Sequence, residues 1–183
     1  MKYKNFDIYF PKVGVELPWN QWEIVGMAAW LWCRSGLHRS WELNLFESEV
    51  LESVESQQFV LITRNNQPAA YLSWGHLSDE AEVKYILNPH NLRREDKQSG
   101  RHLWLLNWAA PHGGTKEFSQ VARQILFHRS VGHMLRVKPG NHDSGRIVSA
   151  RGALVSQQDY AKEILRMHGN FVKAQQLRQG NFR

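Results

Sequence analysis

His38 is the side chain in this sequence best placed to move a proton. It follows a glycine that stops a helix, within Ser35-Gly-Leu-His-Arg-Ser40, and its ordinary pKa lies near neutrality. A neutral imidazole there can take a proton from an amine or hydroxyl, as a transfer reaction to either group requires. The plainer reading is a half-buried packing histidine. Ser35, three residues earlier, is spaced to orient or cap that ring, or is only the hydroxyl of a helix C-terminus. Cys33 is the single thiol. It lies five residues before His38 as a conceivable nucleophile, but its place on an apolar helix face reads better as core packing.

Other chemistries find little support. The chain has 9 His, yet only His128 and His133 lie close, across a glycine turn and without a Cys partner or HExxH spacing, so no metal site is expected. Neither GxxxxGK[ST] nor GxGxxG occurs, and Gly113-Gly114 is not followed by Lys-Ser/Thr, which argues against nucleoside triphosphate chemistry. Lys and Arg number 23 against 17 Asp and Glu, a net +6 that favours an acidic partner. The 8 Trp might suggest single-stranded nucleic acid, but most fall inside apolar helix or strand patterns and no recognition motif accompanies them; nucleic-acid binding is not expected.

The elements that must position these residues follow from length and periodicity. At 183 residues and 42% hydrophobic, the chain reads as one domain spanning residues 1–183, with residues 1–18 a loose N-terminal arm. One Cys excludes a disulfide-stapled scaffold. No secretory signal is visible, and the longest apolar run, Ile24 to Cys33, is too short to span a bilayer; a cytoplasmic protein without stable membrane insertion is expected. Trp19 to Cys33 predicts a helix burying a face of Trp22, Val25, Gly26, Ala29, Trp30 and Cys33. A second helix is expected over Asn44 to Ser56. Phe59–Thr63 and Pro68–Trp74 flank Arg64-Asn-Asn-Gln67 as a hairpin. Ser78 opens a helix to about Leu87, followed by a polar loop from Asn88 to Gly100. Leu103–Trp108 reads as a central strand, and Thr115 caps a helix holding Phe118, Val121, Ala122, Ile125 and Leu126. Met134–Val137 and Arg146–Ala150 are short strands joined through residues 138–145. Ser156-Gln-Gln-Asp159 caps a last helix. The order points to an α/β (α+β) fold.

Longer strings carry a resemblance. Gly26-Met-Ala-Ala-Trp-Leu-Trp32, Ser35-Gly-Leu-His-Arg-Ser-Trp41, Gln58–Trp74 with its Ala-Tyr-Leu-Ser-Trp ending, Glu82-Val-Lys-Tyr85, and Ser99–Pro111 occur in this order. With weaker similarity beyond, covering about residues 22 to 175, the chain resembles the RTX-toxin-activating lysine acyltransferases. The resemblance implies a GNAT-like central mixed sheet flanked by helices. It also implies a cytoplasmic bacterial enzyme that takes a fatty acyl chain from acyl-carrier protein, with no cofactor of its own. The acceptors would be ε-amino groups of internal lysines of an RTX protoxin, acylated before secretion. A homodimer is compatible with the sequence.

The resemblance makes His38 the general base, or itself the acyl acceptor, with Ser35 in support. It also leads one to expect Asp before the Trp of the central strand, where this chain reads Leu106-Asn107-Trp108. Asn supplies a neutral dipole where a carboxylate would hold the imidazole's tautomer and stabilise the imidazolium. His38 and Asn107 are expected in one cleft, within direct or water-mediated hydrogen bonding. If proton transfer limits the rate, Asn107→Asp should speed it; an unpaired buried carboxylate would act the other way. The departure leaves an alternative: a catalytically weakened member that binds carrier protein or toxin. Ala110-Pro-His-Gly-Gly114 is not the pyrophosphate turn of GNAT enzymes that use coenzyme A, which suits a carrier-protein donor. The acidic carrier would be steered by the positive charge, with Arg123, Arg136, Arg146 and Arg151 as contacts, or as solvated surface.

Overall fold

The computed structural model describes residues 1–12, 14–138 and 141–180. The N-terminal segment is not a loose arm throughout. It holds β1 (Lys2–Tyr3) and β2 (Phe6–Tyr9), which pairs antiparallel with a later strand and buries Phe6 and Ile8. Four residues between polar neighbours and Pro11 are too few for a period-2 pattern to stand out.

Helix α1 (Gln21–Arg34) starts at Asn20, not Trp19. Asn20 Oδ1 accepts the Trp22 and Glu23 N–H groups, and the Glu23 carboxylate accepts from Asn20 N–H. Its buried residues are Ile24, Ala28, Leu31 and Trp32. The expected face is corrected accordingly: Trp22 is 69% exposed and Cys33 is exposed. A helix apolar on more than one side offers several stripes at helical spacing, and only tertiary packing selects one.

The second helical run comprises α2 (Leu43–Phe46), a π-helical turn Glu47–Leu51 and α3 (Glu52–Glu55). Strands β3 (Phe59–Arg64) and β4 (Gln67–Leu77) form the expected hairpin, with Asn65 and Asn66 both at positive φ, 50° and 59°, where Asn is among the tolerated residues. Ser78 Oγ accepts the Ala81 N–H to start α4 (Asp79–Leu87). The polar segment after it carries two 3₁₀ turns, Pro89–Asn91 and Glu95–Gln98.

Strand β5 (His102–Ala109) is interior to the sheet, and α5 (Thr115–Val121) runs on into a π-helical turn Ala122–Leu126. Strands β6 (Val131–Lys138) and β7 (Asn141–Arg151) are longer than expected, and Pro139 and Gly140 of the joining segment lie outside the described residues. Ser156 Oγ accepts from Asp159 N–H and donates to its carboxylate at the head of α6 (Gln157–Gly180).

The strands follow in chain order in a seven-stranded sheet, giving the mixed α/β architecture, helices flanking the sheet, of a GNAT-like fold. The chain divides into two units, Met1–Trp74 with Leu105–Val121, and Gly75–Trp104 with Ala122–Arg183. The first has a core of Ile24, Ala28, Leu31, Trp32, Val50, Val54, Phe59, Leu61, Tyr71 and Ala109. In the second, α4 packs on α6, and Trp104 meets Tyr85 edge-on at 5.1 Å. No helix among the described residues is long and apolar enough to cross a membrane.

Candidate active site

The chain leaves α1 at Ser35 and turns at once through the 3₁₀ segment His38–Ser40. His38 is only 3% exposed. Its ring centroid lies 4.7 Å from that of Trp32 and 4.7 Å from that of Trp41. Trp41 and Phe46 in turn meet Trp32 edge-on at 5.3 and 5.2 Å. Within this aromatic box Ser35 Oγ stands 2.7 Å from His38 Nδ1 and accepts the His38 backbone N–H at 3.4 Å. The ring is therefore oriented by a side chain one turn back, as the Ser35 and His38 spacing suggested.

The sheet supplies the facing wall of this core. Tyr71 and Ala109 belong to the cluster that holds Trp32, so alternation along β4 and β5 puts Ser73 and Asn107 on that same face. Phe59, also of the cluster, is the register partner of Ser73. The Tyr71 hydroxyl is satisfied: it bonds Ser53 Oγ at 2.6 Å, and Ser53 donates to backbone carbonyls of the π-helical turn. Burial pushes the Tyr71 phenol well above its ordinary range, the Glu49 charge adds to this, and the Ser53 hydrogen bond offsets part of it. Asn107 is different. It is 3% exposed, and neither its amide oxygen nor its amide nitrogen has a hydrogen-bond partner. A direct His38 to Asn107 hydrogen bond is therefore not made. Both residues are buried in the first unit, His38 against Trp32 and Asn107 beside Ala109 on the sheet, with no bond between them.

Comparison with known proteins shows the family. Residues 17–151 match the model of the RTX toxin acyltransferase family. The chain is 38% identical over 157 residues to protein-lysine myristoyltransferase RtxC of Kingella kingae, an alignment covering 81% of this chain and 93% of that protein. It is 34% identical over 160 residues to protein-lysine myristoyltransferase HlyC of Escherichia coli, covering 87% and 92%. It is 29% identical to the RTX-II toxin-activating lysine-acyltransferase ApxIIC of Actinobacillus pleuropneumoniae over 86% and 98%. The chain belongs to the RTX toxin acyltransferase family.

As an acyltransferase of this family, the chain carries its expected donor-contact arginines in the second unit. Arg123 is exposed on the π-helical turn and donates from Nε to Arg151 O at 2.9 Å. Arg136 and Arg146 are direct register partners on β6 and β7, both exposed, and Arg151 ends β7 half-buried. Like charges placed opposite each other across a ladder cost stability, so this hairpin carries a concentration of positive charge that its own folding does not favour. The turn after β5 has Gly113 and Gly114 at positive φ, and a Cβ on Gly114 would stand 2.7 Å from Phe118 Cζ, so the turn's shape depends on glycine.

His128 and His133 serve structure. His128 Nδ1 lies 3.1 Å from Ile125 O, while His133 is fully buried between Ser149 Oγ at 2.8 Å and Glu163 Oε1 at 3.3 Å. His133 joins, through Glu163, a polar network of buried Glu82, His102 and Asn170 with half-buried Glu163 and Arg166 and exposed Asp79. Burial works to raise Glu163, but hydrogen bonds with His133 and Arg166 and the positive charge of Arg166 and His102 hold its carboxyl down at about 2. Sequence reading missed this group, and it did not single out Trp32, which packs on His38, or the buried Ser73. The only signal for Trp32 and Ser73 was their presence in the Trp-Leu-Trp and Ala-Tyr-Leu-Ser-Trp strings.

Proposed function

We propose that this protein transfers a fatty acyl group from acyl-carrier protein to the ε-amino group of internal lysines of an RTX protoxin, in the cytoplasm and before secretion. The whole chain, residues 1–183, works as a single acyltransferase domain, with His38 acting on the lysine proton. The observation that carries the reading is His38 itself, buried in an aromatic box with Nδ1 held by Ser35, in a chain of this family. Ser35 Oγ has two lone pairs, one directed to the His38 backbone N–H, and it can accept a second proton from Nδ1. That tautomer makes Nε2 the basic nitrogen, so the imidazole can take a proton from a lysine ammonium and return one to the departing thiolate. An attack by Nε2 on the thioester, giving an acyl-imidazole, uses the same tautomer. Arg123, Arg136, Arg146 and Arg151 complement the acidic carrier.

Incubating the protein with fatty-acylated carrier protein and lysine peptides of a protoxin, then weighing the peptides, tests the reading. A mass gain of one acyl group on lysine is expected, and none would overturn it. The absence of a bond between Asn107 and His38 favours a second reading, a weakened member that binds carrier or toxin. Binding of either without acylation in the same assay would establish that instead.

A further inference from the structure

We propose that Asn107 Nδ2, Trp32 Nε1 and Ser73 Oγ form the oxyanion site of the acyl transfer. The inference rests on the reading above and adds residues to it. All three side chains are nearly fully buried, at 3%, 5% and 1% exposure, and these polar atoms have no hydrogen-bond partner. A buried donor left unpaired is costly, and native proteins rarely keep several together without a role. Trp32, on α1, belongs to the first unit's core, and strand alternation from Tyr71 and Ala109, which belong to the same core, puts Ser73 and Asn107 on the sheet face turned toward it. The Trp32 ring touches the His38 imidazole. The neighbouring Tyr71 hydroxyl, on the same face, is fully engaged by Ser53, so the same core pairs a polar group where the fold alone requires it.

The reaction has a use for unpaired donors. A lysine amine, after its proton passes to His38, attacks the thioester carbonyl carbon, forming the C–N bond while the carbonyl π electrons move to oxygen. Collapse of that oxyanion breaks the C–S bond, the thiolate leaves with the proton from His38, and the new C–N nitrogen, which still carries two hydrogens, releases one of them to solvent to give the neutral amide. Donors preorganised for the oxyanion and idle in the resting protein stabilise the transition state without reorganisation. Asn can donate there, and an ionised Asp cannot. The residue that differs from the family expectation is thus suited to the oxyanion instead of to the imidazole, and Asn107→Asp is expected to slow transfer, contrary to the expectation from sequence.

The test compares wild type with Asn107→Leu, Asn107→Asp and Ser73→Ala, using a fatty acyl thioester of carrier protein and a lysine peptide. Asn107→Leu is expected to lose about 100-fold in kcat with KM little changed, the effect of removing one oxyanion donor. It should also melt ~2–4 °C higher, because it removes an unpaired buried amide. Ser73→Ala should lose about tenfold in kcat, less than the roughly 100-fold of a principal oxyanion donor. Asn107→Asp should be slow at neutral pH and regain rate as pH falls, since a protonated carboxyl donates where the carboxylate repels. Wild-type kcat in both Asn107→Leu and Ser73→Ala would overturn the assignment, as would an Asn107→Asp rate that ignores pH. A wild-type protein that acylates nothing would instead overturn the function on which the assignment rests.

Discussion

The two units of this protein bury polar groups in opposite ways. In the second, Glu82 is 0% exposed and is fully answered: Trp104 Nε1 donates to it at 2.9 Å, and both terminal nitrogens of Arg166 and the amide of Asn170 complete its shell. In the first, Asn107 and Ser73 are as deeply buried and bond nothing. A buried charge that only holds a fold together must be paired, because removing one partner leaves an uncompensated charge in low dielectric. Polar atoms that stay unpaired in the core that holds Trp32, the ring packed on His38, are explained by a partner that arrives with the reaction. The saturated cluster builds structure; the unsaturated one is kept for chemistry.

The sharpest way to break that contrast is His38→Ala. Loss of a positioned base should lower acyl transfer by about 10²–10⁴-fold while circular dichroism shows a folded protein. Turnover near wild type would remove the chemical role from the first cluster. The matching change in the second unit is Arg166→Met, which strips the cation from Glu82, Glu163 and Asp79. It should cost about 3–5 kcal/mol in chemical denaturation, as for a broken buried pair. A loss below about 1 kcal/mol would place that network among weak surface pairs.

Glu163 tests the same contrast through pH. Its carboxyl is held at about 2 against an ordinary 4.5, so the folded state binds the proton later than the unfolded chain. The stabilisation is fully present above pH 4.5 and is lost as pH falls from there through about 2. It amounts to at most about 3 kcal/mol. Asp79 and Asp96 are lowered too and steepen the same acid limb. Glu163→Gln should flatten the fall in stability between pH 4.5 and 2, read from urea midpoints across that range. An unchanged acid limb would show that Glu163 is not held by its neighbours.

Much of the scaffold was legible because local chemistry and tertiary fold agree. Ser78 and Ser156 cap the helices they announced, and Asn65-Asn66 turns the hairpin its residues require. Where sequence reading failed, the deciding information was not local. The buried face of α1 was chosen by packing among several apolar stripes, and β2 is a strand because β3 offers it an edge. In the site, Ser35 and His38 were legible from a three-residue spacing. Trp32, Ser73 and the unpaired state of Asn107 were not, since an unmet hydrogen bond exists only once the fold has put every other partner elsewhere. The Glu82 to Arg166 pair, 84 residues apart in the chain, leaves no periodic trace.

Ser35 gives the smallest and most discriminating effect, because it is a hydrogen-bond partner of the reactive ring that can be removed without touching the orphan atoms. Ser35→Ala takes away a hydroxyl that bonds Nδ1 and accepts the His38 backbone N–H. With the ring still boxed by Trp32 and Trp41, the imidazole stays in place but loses the hydroxyl at its Nδ1. A loss of about tenfold in kcat and about 1–2 kcal/mol in stability is expected, the cost of one buried hydrogen bond. Ser35→Thr separates orientation from packing. Ser35 sits at φ −80°, ψ 123°, extended backbone that a β-branched residue adopts readily, and Thr keeps the Oγ. Thr also adds a methyl at a site only 7% exposed, so it should restore kcat while remaining somewhat less stable than Ser. If Thr and Ala are equally slow, the hydroxyl does not orient His38.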